Sequence, residues 1–288
     1  MDRFCYIDTN TGAAQREMDG LFPGWAGARE HVCVYSPHDD DAILGAGYAM
    51  RAALDAGAQV SVIIVCSGNA GYSDAREKHT IVETRRRETR ACYAAFGIAP
   101  EHLLFLDAPD FSALHAVGWQ VPGGAGHFQK TITYLRAHEV TRILAPNHYR
   151  EHIDHVAASM MAAYDAPQAG DAFAVDWAKP HAVTSVAEYA VWAELDPEDA
   201  LLAGRDTALR ANCVLAVAPE VEASVMRGIA QYASQVQIIE TLTAARRERR
   251  LPDGRYIEVY LRFDPRPKMD FSPYKALIAR TDGSSAVG

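Results

Sequence analysis

With 288 residues, 49% hydrophobic and 23% charged, the chain is long enough to bury a full core and falls in the ordinary range for soluble globular proteins. A formal net charge of -9 argues against a nucleic-acid partner, because proteins that grip a phosphate backbone carry a basic face that displaces counterions. No run reaches the roughly 18–20 unbroken apolar residues of a membrane span, and "MDRFCYIDTN" lacks the basic-then-apolar layout of a secretory leader, so the expected location is cytoplasmic.

From Gly27 onward, short β-rich runs alternate with longer helical ones. "HVCVYS" (31–36) reads as a buried strand, and "DAILGAGYAMRAALDAG" reads as one helix stopped by Gly57. "QVSVIIVCSG" is the next strand, followed by a polar loop and a long helix around "IVETRRRETRACYAAFG" that Gly97 ends. "HLLFLD" and "TRILAPN" supply further strands, separated by a Gly-rich loop and the helical "FQKTITYLRAHEV". This order predicts an α/β fold, a Rossmann-like parallel sheet with helices on both faces. Beyond Val156, "VTSVAEYAVW" resembles a strand and "PEVEASVMRGIAQYASQVQIIETLTAARRERR" one or two helices. "GRYIEVYLRF" reads as a late strand pairing with the edge of the sheet. The expected division is an N-terminal extension (1–26), a single domain (27–265) bearing this extra strand and helix, and a C-terminal tail (266–288). The first twenty-odd residues and "RTDGSSAVG" read as dispensable. The five cysteines are scattered, without a C-x-x-C pair, and are expected to be reduced core residues. The arginine runs "RRRETR" and "ARRERR" read as solvated helix faces, Arg85 excepted.

Two stretches stand apart from this pattern. "PHDDDAILGAG" (37–47) follows a strand predicted to be central and opens a helix. One acidic residue would cap that helix; three, with a histidine beside them, exceed the need. "NHYREHIDHVAAS" (147–159) again lies between a strand and a helix and packs His152, Asp154 and His155 into its last turn. In an open α/β sheet, ligands bind beyond the carboxyl ends of the strands, where two such turns would converge.

Histidine and aspartate side chains meeting there suit zinc, whose catalytic sites take three protein ligands and leave a position open. His38 and Asp41, three residues apart, would project to one side, with His155 completing the set. A cation there offsets the carboxylate repulsion, and Asp40 would take the proton from water that the ion activates. His152 would act as acid toward the leaving group, with Asp154 orienting its ring or that of His155.

"SPHDDDAILGAG" resembles the P-H-P-D-D-E-x-L-G motif of the LmbE-like, or PIG-L, zinc-dependent N-deacetylases, and "HIDHVAA" is similar to that family's H-P-D-H element. Arg85 and Glu88 with "AAFG", "LFLDAPD", and "YASQ" (232–235) resemble further family elements, so the likeness extends over most of 32–235. The resemblance implies a Rossmann-like fold, zinc ligands at His38, Asp41 and His155 (one Zn2+ ion, with another divalent metal as substitute) and a general base at Asp40. It also implies an oxyanion or amine partner at His152, an orienting carboxylate at Asp154, and substrate contacts at Arg85 and Asp110. The chain departs from the motif at Asp39, Ala42 and Ile153, and "CSGNAGYSD" replaces the family's T-D-G-E-x-G loop.

The expected activity is removal of an acetyl or other acyl group from an N-acetylated amino sugar or related small molecule. The expected partner is therefore a small N-acylated substrate, with homo-oligomerisation left open. The alternatives are an amidase for larger conjugates, a two-metal phosphoesterase, and a non-catalytic carbohydrate- or nucleotide-binding protein. "GAG" at 45–47 matches a dinucleotide fingerprint poorly, lacking its third glycine. For Trp119, Tyr149, Trp177 and Trp192 the sequence leaves pocket and core equally open.

Overall fold

A computed structural model describes residues 3–285. In chain order its strands are β1 (Phe4–Asp8), β2 (Ala14–Gln15), β3 (His31–Ser36), β4 (Gln59–Cys66), β5 (Leu103–Ala108), β6 (Gln120–Val121), β7 (Gly124–Ala125), β8 (Arg142–Pro146), β9 (Ser185–Tyr189), β10 (Cys213–Val217) and β11 (Tyr256–Phe263). The α-helices are α1 (Asp41–Gly45), α2 (Gly47–Asp55), α3 (Ile81–Phe96), α4 (Phe128–Ala137), α5 (Ile153–Ala169), α6 (Pro197–Leu202), α7 (Pro219–Ile229), α8 (Val236–Arg246) and α9 (Ser272–Ser285).

Nine strands form one sheet in the order β2-β1-β10-β11-β9-β8-β3-β4-β5. From β9 to β5 neighbouring strands run parallel, with Val34 of β3 paired to Val62 on one side and Leu144 on the other. From β9 to β2 they run antiparallel. The parallel half is the predicted α/β core, buried on both faces because helical crossovers cover both. Val32 and Val34 point into one core with α2, α3 and α7, whereas Cys33 and Tyr35 point into the other with α4 and α5. The chain leaves β3 toward β4 and β5, then returns to β8 on the opposite side. The crevice between β3 and β8 is thus the point where strand order reverses.

Three expectations need correction. The helix predicted to run unbroken from Asp41 divides at Ala46, where φ is -126° and ψ 15°. Close packing explains the glycines on either side: a Cβ on Gly45 would come within 2.5 Å of the Tyr189 ring, and one on Gly47 within 2.8 Å of Val225. "GRYIEVYLRF" does meet the edge of the parallel half at β9, but β10 then covers its other side, so β11 is internal. The N-terminal residues are part of the fold: β1 pairs with β10, and Tyr6, Leu21 and Phe22 are buried in the core. The tail beyond Arg266 is largely an exposed helix, and its last three residues lie outside the described residues. Among the described residues no helix is long and apolar enough to cross a membrane.

Candidate metal centre

The first acidic turn leaves β3 and the second leaves β8, so adjacent parallel strands deliver both to one crevice. The aspartates do not cap α1: Asp40 makes no side-chain capping hydrogen bond, and the Ala42 N–H donates instead to Ser36 Oγ at 3.0 Å. Freed of that task, Asp41 turns its Oδ2 toward the His38 backbone N–H (2.8 Å), His38 Nδ1 (3.1 Å) and His155 Nε2 (3.1 Å). His38, Asp41 and His155 offer donor atoms within 4.8 Å of one another, as do two overlapping sets that share His38, one with His152 and Asp154 and one with Cys66 and Asp110. Cys66, expected to be only a core residue, is buried beside the crevice.

One atom tests whether a cation fits. His155 Nε2 is buried and, among the described residues, makes no well-formed hydrogen bond although Asp41 Oδ2 is 3.1 Å away, while the other ring nitrogen is held by Glu151 Oε2 at 2.7 Å. Glu151 is in turn fixed by the backbone N–H groups of Val191, Trp192 and Ala193, all donating to its Oε1 at 2.8–3.0 Å. An imidazole oriented by a carboxylate, with its second nitrogen facing another carboxylate, is the environment of a metal ligand. Burial disfavours a charged His38, but hydrogen bonds with Asp154 and Asp41 outweigh it and lift the imidazole to about 10. Burial likewise opposes charge on His155, yet the Asp41 charge raises it to about 9. The crevice thus attracts positive charge, which a divalent cation would supply in place of the protons.

Asp40 behaves differently. Burial drives its carboxyl up to about 7, the pull of Arg85 opposing and the charges of Asp39 and Asp41 adding. Its nearest cation is Arg85 at 3.7 Å, and among the described residues it accepts no side-chain hydrogen bond. Asp154 lies between His38 Nε2 (3.4 Å) and His152 Nδ1 (3.6 Å), and accepts N–H groups of Phe111 (2.6 Å) and Ala113 (3.1 Å). Burial would raise it, but the His38 hydrogen bond and those N–H groups hold it down near 2. The carboxylate that orients His155 is therefore Glu151, and Asp154 faces His38 and His152.

The remaining predicted residues frame the crevice. Arg85 is buried and ion-paired with Asp39, which also accepts the Thr89 hydroxyl at 2.9 Å. Asp39, which stands where the family motif has proline, thus balances Arg85 and is not among the candidate metal groups of the described residues. The Arg85 side chain also accounts for two glycines, since a Cβ on Gly71 or Gly68 would collide with it. Asp110 accepts the N–H groups of Gly68 (2.8 Å) and Ala70 (2.9 Å) and so ties down that loop. A cavity of about 210 Å³ joins His38, Asp40, Asp41, Arg85 and Asp110 to Phe111 and Trp192.

The family model described as PIG-L, GlcNAc-PI de-N-acetylase, matches residues 33–164. Residues 33–164 belong to the PIG-L family. The PIG-L segment holds both acidic turns and ends before Trp192. No curated protein matches the sequence. Among solved structures, the chain is similar to an N,N'-diacetylchitobiose deacetylase from Pyrococcus horikoshii in complex with an inhibitor (16% identity, covering 82% of this chain and 84% of that one, TM-score 0.62). It is also similar to the conserved protein TT1542 of Thermus thermophilus (21% identity, 83% and 96% covered, TM-score 0.59). A third likeness is to GalB, the 4-carboxy-2-hydroxymuconate hydratase of Pseudomonas putida KT2440 (16% identity, 84% and 99% covered, TM-score 0.59). At these identities the likeness establishes the fold, which the PIG-L segment shares with enzymes of more than one reaction class.

Proposed function

We propose that the protein is a zinc-dependent N-deacetylase whose substrate is an N-acetylated amino sugar or a related small N-acylated molecule. The observation that carries this reading is the buried Nε2 of His155, which faces Asp41 Oδ2 at 3.1 Å without a well-formed hydrogen bond among the described residues, set with His38 beside the Asp40 carboxylate. The match to the PIG-L model and the fold shared with a chitobiose deacetylase support it.

His38, Asp41 and His155 would hold the ion. When bound, zinc supplies Lewis acidity toward the acyl carbonyl and makes water a better nucleophile. Asp40, whose carboxylate lines the same cavity as His38 and Asp41, would accept the proton of the attacking water and return it to the departing amine. Nδ1 of His152 accepts the Asp154 N–H at 3.2 Å, which leaves its proton on Nε2, the donor available to the carbonyl oxygen as charge develops there. Arg85 and Asp110 border the same cavity and would meet the substrate's hydroxyl groups.

Acetate release from N-acetylglucosamine, diacetylchitobiose and an aryl N-acetylglucosaminide, with chelator-treated protein before and after zinc is added back, tests the reading. We expect metal-dependent release that falls by about 10²–10⁴ in Asp40→Asn. Metal-independent release, or an unaffected Asp40→Asn, would refute it. Addition of water across a carbon–carbon double bond is the second reading, favoured by the shared fold with a hydratase. Consumption of an unsaturated carboxylic acid without any acetate release would select it.

A further inference from the structure

Phe111 has a backbone φ of 63°, the left-handed region that a bulky side chain disfavours and glycine adopts freely. The conformation has a local cause. Pro109–Ser112 is a turn closed by the Ser112 N–H donating to Pro109 O at 3.0 Å, and the twist at its third residue aims the Phe111 N–H at Asp154 Oδ2, 2.6 Å away. Glycine would make the same turn and donate the same hydrogen bond without the steric conflict. The phenyl ring is thus not required by the turn, and folding gains little from it, because the residue is 64% exposed.

The ring's position supplies its use. It lies 4.7 Å from the His152 ring, tilted by 54°, and lines the 210 Å³ cavity together with His38, Asp40 and Asp41. Trp192 lines the same cavity, is 48% exposed, and rests on the His155 ring at 4.9 Å. Two half-open aromatic side chains, one against each second-turn histidine, therefore line one cavity with carboxylates and a guanidinium. Apolar C–H faces above and polar groups around the rim are the chemistry of a pyranose ring, and aromatic faces bind the former. We propose that Phe111, with Trp192, is a substrate-contacting platform for the sugar ring, and that the strained backbone at Phe111 is retained for that contact. This deepens the amino-sugar reading above and rests on it.

The test compares wild type, Phe111→Gly and Phe111→Trp in three measurements: thermal unfolding, calorimetric binding of chitobiose to metal-free protein, and steady-state kinetics on diacetylchitobiose. Phe111→Gly should unfold at the same temperature or a few degrees higher. It should bind chitobiose about five- to tenfold more weakly and show its loss in KM while kcat holds. Phe111→Trp should keep wild-type affinity. Unchanged binding and KM in Phe111→Gly, with or without a lower unfolding temperature, would overturn the platform and leave deacetylation standing. Failure of the wild type to bind chitobiose would also overturn it. Binding that depends on Phe111 in a protein that releases no acetate would retain the platform and refute the deacetylase reading instead.

Discussion

Two clusters of buried charge occupy this molecule, one where β3 and β8 end and one where α2, α7, α8 and β11 meet, and they differ in how completely their groups are paired. In the second, Glu222 accepts two hydrogen bonds from Arg246 (3.1 and 2.6 Å) and one from the Tyr48 hydroxyl (2.7 Å). Arg246 gives another to Leu44 O, and Glu258 accepts the Tyr48 N–H and the Tyr260 hydroxyl. In the first, among the described residues, His155 Nε2 has only the Asp41 carboxylate at 3.1 Å and no well-formed hydrogen bond, and the Asp40 carboxylate has only Arg85 at 3.7 Å. Buried polar groups that only hold a fold together are nearly always satisfied. The looser pairing of the first cluster, together with its opening to a cavity, is what distinguishes it from this structural network.

The sharpest way to break this comparison is metal content. Wild-type protein loaded with zinc and desalted should retain about one ion per chain, His155→Ala none, and a variant of the second cluster the full amount. Elemental analysis reads this directly, and a full complement of zinc in His155→Ala would erase the distinction. Stability should divide the clusters the other way. Glu222→Leu leaves the buried Arg246 guanidinium without its carboxylate and should cost about 3–5 kcal/mol in denaturant unfolding. His155→Ala, measured without metal, should cost clearly less, so equal losses would contradict the assignment.

A smaller effect concerns pH. Burial lifts the Glu258 carboxyl to about 7, against the attraction of Arg249 and Arg246. The folded protein therefore holds this proton more tightly than the unfolded chain, whose carboxyl titrates near 4.5. The stability it contributes is complete below about 4.5 and is lost as pH rises through about 7, up to about 3 kcal/mol. Glu258→Gln should flatten that decline between pH 5 and 8 in chemical unfolding, and an unchanged slope would show that Glu258 is not its source.

Both acidic turns are legible in the sequence because each is a local anomaly: too many carboxylates for a helix cap at 39–41, and histidines crowded at 152–155. Glu151 is harder to assign. It lies four residues before His155, but its role depends on backbone N–H groups at 191–193, some forty residues on. Arg246 reads in sequence as a solvated residue of a basic run and is instead buried, since nothing near it announces Glu222, its partner 24 residues earlier. The strand at 4–8 escapes a sequence reading for the same reason: it is short, and its partner β10 lies more than two hundred residues away.

The sequence by itself determined the alternation of buried strands and amphipathic helices, hence the parallel half of the sheet, and the two turns rich in histidine and aspartate. Those are properties of neighbouring residues, and hydrophobic period and residue type express them directly. Tertiary structure alone decided that β10, β11, β1 and β2 extend the sheet, that Glu151 orients His155, that Asp39 balances Arg85, and that Phe111 and Trp192 face the same cavity. These depend on contacts between segments far apart in the chain, which form only once the sheet has brought the ends of β3, β8 and β9 side by side.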